Sequence, residues 1–367
     1  MLVNPSRIGQ VNLAGAVDEL FLKVFSGEII TTFEKYNTMM PLHRVRTIQS
    51  GKSATFPVTG VATAAYHTPG ESVLSQVNET NLFAAAASAG SPTTSFTAQT
   101  GTTSKYLSRL RHNEKIIYID DVLVSSVFVA DIDEMMNHYD VRSVYSTEIG
   151  RAMAYTADRN LLRTVIAGAR RTTDRFGGSS TDFLGAQVGI GAAPTGDTII
   201  AALFDVARRM DDASVPQDNR VCILNPTQYY NLVRSGKDAI NHDLNDGSNG
   251  SIAKGEVLSV AGIRIMKSNQ LPSANESSTE DTLHGAAGIK NNVITAANSG
   301  TAGYSGLNYS TTRGIVFHQE AVGTVKLMDL SVESEYQMDR LGTLMLAKYA
   351  MGHNVLREEC CYELTAT

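Results

Sequence analysis

The sequence predicts an α+β fold, and three observations predict it. Residues around 46–56 and 116–129 alternate apolar and polar side chains as strands do, and the second run is rich in Ile and Val. The 39 residues from Asp131 to Ala169 contain no proline and carry apolar residues at helical spacing. The rest of the chain mixes helical and strand patterns and ends in long alternating runs.

The chain opens with an arm. From Val17 to Phe33, Leu20, Phe21, Val24, Phe25 and Ile29 recur at helical spacing, which predicts a helix within it. Ile48, Ala54 and Phe56 then alternate around a Ser50-Gly51 turn, which predicts strands joined as a hairpin. From Ser72 to about Ser108 the composition shifts to Ala, Ser, Thr and Gly, with little to bury. Strand character returns in Ile116, Ile117, Ile119, Val122, Val124, Val127 and Val129. Together these segments predict a long two-stranded excursion with a soft tip.

Asp131 is an expected N-cap for a helix over 131–169, roughly 58 Å long at ~1.5 Å per residue. Gly150 is its weak point, so the pattern allows one helix or two. Ile199, Ile200, Leu203, Phe204, Ala207 and Met210 predict an amphipathic helix starting near Thr195 or Asp197 and ending before Pro216. VCILNP reads as a buried strand. Asn225 caps a further helix with Pro226 at its first position, where a missing N–H costs least. GEVLSVAGIRIMKS predicts a strand pair, and Asn269 to Thr312 is again rich in Gly, Ser, Thr and Asn. Val325, Leu327, Leu330 and Val332 predict strands that return beside the long helix.

Composition narrows the function. Of 367 residues, 43% are hydrophobic and 19% charged, enough apolar material for a sizeable core. The formal net charge of -6 argues against a protein built to grip nucleic-acid phosphates. Three cysteines, Cys222, Cys360 and Cys361, do not make a disulfide framework. The first residues lack a signal-peptide layout, and no apolar run is long enough to span a bilayer, so no membrane partner is expected.

The sequence carries little sign of reaction chemistry. Ser50-Gly51-Lys52-Ser53 ends like a phosphate-binding loop, but Arg46 stands where the first glycine belongs and Pro57 interrupts the expected helix. Gly189 and Gly191 lack the third glycine of a dinucleotide fingerprint, because Pro194 occupies it. Asp243, Asn245 and Asp246 lack the alternation and terminal Glu of a calcium loop. The eight histidines show no metal-ligand spacing. No catalytic, cofactor-binding or metal-binding residue is assigned, and no enzyme activity is expected. The Arg170-Arg171 and Arg208-Arg209 pairs read as a solvated face or a contact between subunits.

Five segments resemble, in order, the major capsid proteins of T-seven-like short-tailed (podovirus) bacteriophages. They are ELFLKVFSGEIITTFEKYN (19–37), SGKSATFPVTGVATAAYHTPGE (50–71), MNHYDVRSVYSTEIG (136–150), AVGTVKLMDL (321–330) and AKYAMGHNVLR (347–357). The resemblance implies the tailed-phage major capsid fold named for the Hong Kong 97 phage. It implies an N-terminal arm at 1–45, an extended loop at 46–118 with an insertion at about 72–108, and an axial domain at 177–314. The peripheral domain comprises 119–176 and 315–367, with its spine helix at 131–169.

The same resemblance implies a major capsid protein that self-assembles as hexamers and pentamers into an icosahedral shell enclosing double-stranded DNA. A scaffolding protein during assembly and a portal protein are the implied partners. Assembly takes place in the host cytoplasm, and the virion capsid is the final location. No covalent crosslink between subunits is implied. The residues expected at subunit contacts are Phe21, Phe25 and Phe33 on the arm and Arg46, Lys52 and Phe56 on the loop, because excursions without a core of their own carry them. Arg142, Glu148 and Arg151 on the spine fit either a subunit contact or a solvated face. Rival readings are a nanocompartment shell of the same fold, a soluble αβ enzyme, and a tail protein.

Overall fold

A computed structural model describes residues 28–60, 64, 66–67, 69, 112–132, 141–173, 176, 184–235, 250–251, 256–257, 259–276, 304 and 307–366. The chain divides into two compact units, Met1–Phe56 with Ile116–Thr367, and Pro57–Lys115.

The first unit contains two sheets. One has four strands, β1 (Arg44–Thr47), β12 (Val322–Gln337), β13 (Gly342–Val355) and β4 (Leu123–Ala130), in that spatial order. β12 and β13 form a long antiparallel hairpin running from Val322 opposite Val355 to Gln337 opposite Gly342. β1 adds in parallel to one side and β4 antiparallel to the other. The second sheet has six strands in the order β5 (Ala186–Gly189), β14 (Cys361–Thr365), β11 (Thr312–His318), β6 (Arg220–Leu224), β10 (Ile263–Lys267) and β9 (Ser259–Val260). β6 and β14 are buried at every position, as central strands covered on both faces should be. β11 and β14 fall mostly within the stretch expected to be peripheral, yet both pair within the six-stranded sheet.

The spine helix, Val141–Ala169, joins the two layers and has no break. Its first half packs Ile149, Met153, Ala154 and Ala157 against Met345, Ala347 and Tyr349 of β13. Its second half packs Leu161, Leu162, Val165 and Ile166 into the core that β6, β11 and β14 share. Residues 160–169 are buried on every side, so this half has no solvent-facing stripe, and its polar residues Asn160, Arg163 and Thr164 are themselves buried. Residues 131–132 are helical too, and 133–140 lie outside the described residues.

The caps expected at Thr195 and Asn225 are present. Thr195 accepts from the Thr198 amide, and the Thr198 hydroxyl accepts from the Thr195 amide, closing a capping box ahead of helix Gly196–Asp212. Asn225 Oδ1 accepts from the Thr227 amide at the start of helix Pro226–Val233. β9 and β10 form the expected strand pair through Ala261 and Gly262, both at positive φ, as a two-residue hairpin turn requires.

Ser50-Gly51 departs from expectation. Gly51 turns the chain at φ +115°, but the strands on either side do not pair with each other. β1 belongs to the four-stranded sheet, whereas β2 (Ser53–Thr59) pairs with β3 (His112–Tyr118) in a separate ribbon. Local alternation identifies a strand without naming its partner, and here the partners lie far along the chain. A two-residue pair, β7 (Gly250–Ser251) with β8 (Glu256–Val257), completes the described strands of this unit. In the second unit, Pro57–Lys115, the described residues include the outer portions of β2 and β3. The expected insertion at about 72–108 lies outside the described residues.

Candidate intersubunit surfaces

The arm's described part is helical over 28–36, and its apolar face is covered within the same chain. Ile29 and Phe33 are buried against the spine and β13, with the Phe33 ring 6.0 Å from that of Tyr349. Phe33 was expected at a subunit contact; its ring is 6% exposed and part of this internal core. Gly150 lets the arm approach. A Cβ there would lie 2.8 Å from the Ile29 carbonyl and 3.0 Å from Thr32 Cβ. The spine's expected weak point is thus the close crossing of two helices. Phe21 and Phe25 lie outside the described residues.

Arg151 reinforces that crossing. Its guanidinium stacks 4.8 Å from the Tyr36 ring, donates to the Tyr36 hydroxyl at 3.1 Å and pairs with Glu148 at 2.9 Å. The Tyr36 hydrogen bond is the main cause holding the guanidinium pKa above its ordinary value. Glu148 remains 58% exposed. Arg142 lies on the helix backbone, and its side chain lies outside the described set.

After the arm helix, residues 37–43 form a strap leading to β1. The Asp158 carboxylate on the spine accepts the Thr38 amide at 2.8 Å and the Met39 amide at 3.1 Å. Burial pushes the pKa of Asp158 up to about 6 against those amide hydrogen bonds. His43 Nδ1 lies 2.7 Å from the Met39 carbonyl, and Nε2 lies 2.6 Å from Thr324 Oγ1. Burial lowers the pKa of His43 to about 4.

At the base of the ribbon, Arg46 donates to the Thr55 carbonyl at 3.0 Å and sits 5.9 Å from the Phe56 ring. Phe56 packs partly against a small cluster of Ala54, Ile117, Val325 and Ala350. The Lys52 side chain is exposed, and its carbonyl accepts from the Ile119 amide. No helix follows Lys52, so the phosphate-loop geometry is absent there. The structure therefore gathers Arg46, Phe56 and Lys52 at one place and Glu148 and Arg151 at another.

Two regions were missed in the sequence. The far end of the β12–β13 hairpin exposes Met338 at 82%, Leu341 at 66% and, on the adjoining segment, Ile132 at 62%. Asp131 ties that segment down, accepting the Tyr336 hydroxyl at 2.8 Å and donating its amide to the Leu341 carbonyl. The second region is at the spine's C-terminal end. Arg170 and Arg171 do not make a solvated face; they hold Glu363 and Glu358, whose side chains are fully buried. Arg357 similarly holds Glu359 at 2.9 Å and Glu320 at 2.6 Å. Arg208 and Arg209 do match the solvated reading, pairing with Asp205 and Asp212 on an exposed helix face.

Residues 96–365 match the family described as Gp10A-like, major capsid protein. The major capsid protein of Escherichia phage T7 is 31% identical over 356 residues, covering 94% of this chain and 91% of the T7 protein. The capsid of cyanophage P-SCSP1u superposes with a TM-score of 0.67 at 38% identity, covering 100% of this chain and 99% of that one. The mature capsid of bacteriophage PhiM1 shares the fold at 14% identity, with a TM-score of 0.60 over 90% of this chain and 86% of that one. The arm, ribbon, spine and paired sheets are thus a tailed-phage capsid fold, and the role is shell formation. By sequence and by structure, the chain belongs to the Gp10A-like family of phage major capsid proteins.

Proposed function

We propose that this chain assembles as hexamers and pentamers into an icosahedral shell, guided by a scaffolding protein and filled with double-stranded DNA through a portal. The role is purely structural. Assembly takes place in the host cytoplasm. The division of labour follows the expected segments: arm at 1–45, extended loop at 46–118, peripheral domain at 119–176 with 315–367, and axial domain at 177–314.

The observation that carries this reading is the exposed apolar end of the β12–β13 hairpin. Met338, Leu341 and Ile132 would cost solvation free energy in a protein that works alone, and large exposed apolar groups clustered this way mark contact surfaces. Arg46, Lys52 and Phe56 at the ribbon base and Glu148 on the spine supply further contacts with neighbouring subunits. Each contact is modest, and their number gives the shell its strength.

The test is co-expression with the cognate scaffolding protein, followed by negative-stain electron microscopy. Closed shells of uniform size are expected. Lys52→Ala and Phe56→Ala subunits should give fewer or less heat-stable shells while the free subunit folds normally. Small soluble oligomers from well-folded protein, with scaffold present, would overturn the assembly reading. Normal shells from both variants would overturn the role of the ribbon base.

A further inference from the structure

The sulfur of this chain is divided unevenly between core and surface. Cys222, Cys360 and Cys361 are fully buried, and Met39, Met153, Met210, Met345 and Met351 are each 3% exposed or less. Met40, Met266 and Met328 are half-buried against the cores. Met338 is the exception among the described residues, with 82% of its surface in water. Met1, Met135 and Met136 lie outside the described residues.

Met338 opens the turn between β12 and β13, and the backbone holds that turn without it. The Arg340 amide donates to the Gln337 carbonyl at 3.1 Å, and the Asp131 amide donates to the Leu341 carbonyl at 3.1 Å. The Tyr336 hydroxyl donates to the Asp131 carboxylate at 2.8 Å. None of these bonds uses the Met338 side chain. Its thioether adds to the apolar surface that Leu341 and Ile132 present at the same end.

We propose that Met338 is a site of oxygen transfer from hydrogen peroxide, and that its conversion to the sulfoxide disables the hairpin end as a contact without unfolding the subunit. In that step a sulfur lone pair attacks one peroxide oxygen. The S–O bond forms as the O–O bond breaks, and the sulfur is oxidised by two electrons as the peroxide is reduced. The departing hydroxide takes the proton of the transferred hydroxyl and leaves as water. A thioether needs no ionisation to react, so access decides which sulfur is oxidised, and the buried ones are reached only when the core opens.

The effect on contacts rests on the reading that the hairpin end meets a neighbouring subunit. A thioether gives up little hydration when it is covered. A sulfoxide carries a strong dipole and bound water that must be stripped away. Every subunit of a closed shell carries the same residue, so a small penalty per contact is repeated across the particle. The free subunit is therefore vulnerable, and assembly shields Met338 from the oxidant.

The test treats purified full-length subunits, free and in shells assembled with the scaffolding protein, with dilute hydrogen peroxide at neutral pH. Peptide mass spectrometry reads each methionine. In the free subunit, Met338 should oxidise about tenfold or more faster than the buried methionines. The melting temperature should not move. Oxidised subunits should need roughly tenfold more protein to form shells, because a polar group must be desolvated at each contact. Met338→Leu keeps the apolar bulk without the oxidisable sulfur, so treated Met338→Leu subunits should assemble like untreated ones. Oxidation that begins at another described methionine overturns the site. An equal loss of assembly in treated Met338→Leu, full assembly of wild type with Met338 oxidised, or equal oxidation rates in shell and free subunit overturns its effect on the contact. Untreated subunits that never close into shells would overturn the assembly reading instead, and the order of oxidation in the free subunit would still decide the site.

Discussion

Arg170 and Glu363 face each other through two parallel hydrogen bonds, Nε to Oε2 and Nη2 to Oε1, each 2.6 Å long. Thr312 and Gln187 donate to the same carboxylate at 2.5 and 2.8 Å. The pair fastens the end of the spine to β14. Arg170→Met strands the Glu363 carboxylate in the core and should destabilise the subunit by about 3–5 kcal/mol. Arg170→Met combined with Glu363→Leu should recover most of that loss, because the stranded charge is gone. Urea unfolding of the three proteins measures this. Equal losses in the single and double variants would contradict it.

At Gly150, two effects predict opposite signs. On helix propensity alone, Gly150→Ala should stabilise the spine by up to ~1 kcal/mol. The new Cβ, however, would sit 2.8 Å from the Ile29 carbonyl, a backbone atom that moves only with the whole arm helix. We expect a net loss of stability together with faster proteolysis across 28–36. A higher melting temperature with unchanged cleavage would show that the arm yields freely.

These two sites divide what the sequence discloses from what it hides. The helix caps at Thr195 and Asn225 were legible because each is a local bargain between one side chain and the next amides. The spine was legible because 39 residues without proline and with one apolar face have few alternatives. The role of Gly150 was not, since a glycine that weakens a helix and one that admits a neighbour look the same in one dimension. Glu358, Glu359 and Glu363 were illegible for a related reason. Acidic residues read as surface until the arginines that neutralise them, two of them 187 and 193 positions upstream, are placed in space. Arg46, Lys52 and Phe56 were expected at contacts because they sit on an excursion without a core of its own; the hydrogen bond from Arg46 to the Thr55 carbonyl beside Phe56 is a tertiary fact.

The cysteines should be inert. Cys222, Cys360 and Cys361 have no exposed surface, and burial raises the thiol pKa of Cys222 and Cys361 well above the ordinary value. Iodoacetamide at pH 8 should leave the native protein unlabelled and modify three sites once the chain is unfolded in urea. Rapid native labelling at Cys360 or Cys361 would mean that the segment leading from β13 into β14 opens on its own.

Leu341 bears two costs at once. Its φ of +47° places a bulky side chain in the left-handed region, and 66% of its surface is exposed. Glycine at this position would relieve about 1 kcal/mol of backbone strain and remove an apolar group from water. For the isolated subunit, Leu341→Gly should therefore raise the melting temperature. If the hairpin end meets a neighbouring subunit, the same substitution removes contact area, and assembly should suffer. The expected result is a more stable subunit that yields fewer or more fragile shells, read by calorimetry on the free chain and by electron microscopy on the particles. Shells that gain stability in step with the subunit would show that Leu341 meets nothing in the capsid, and the hairpin end would lose its place as a contact surface.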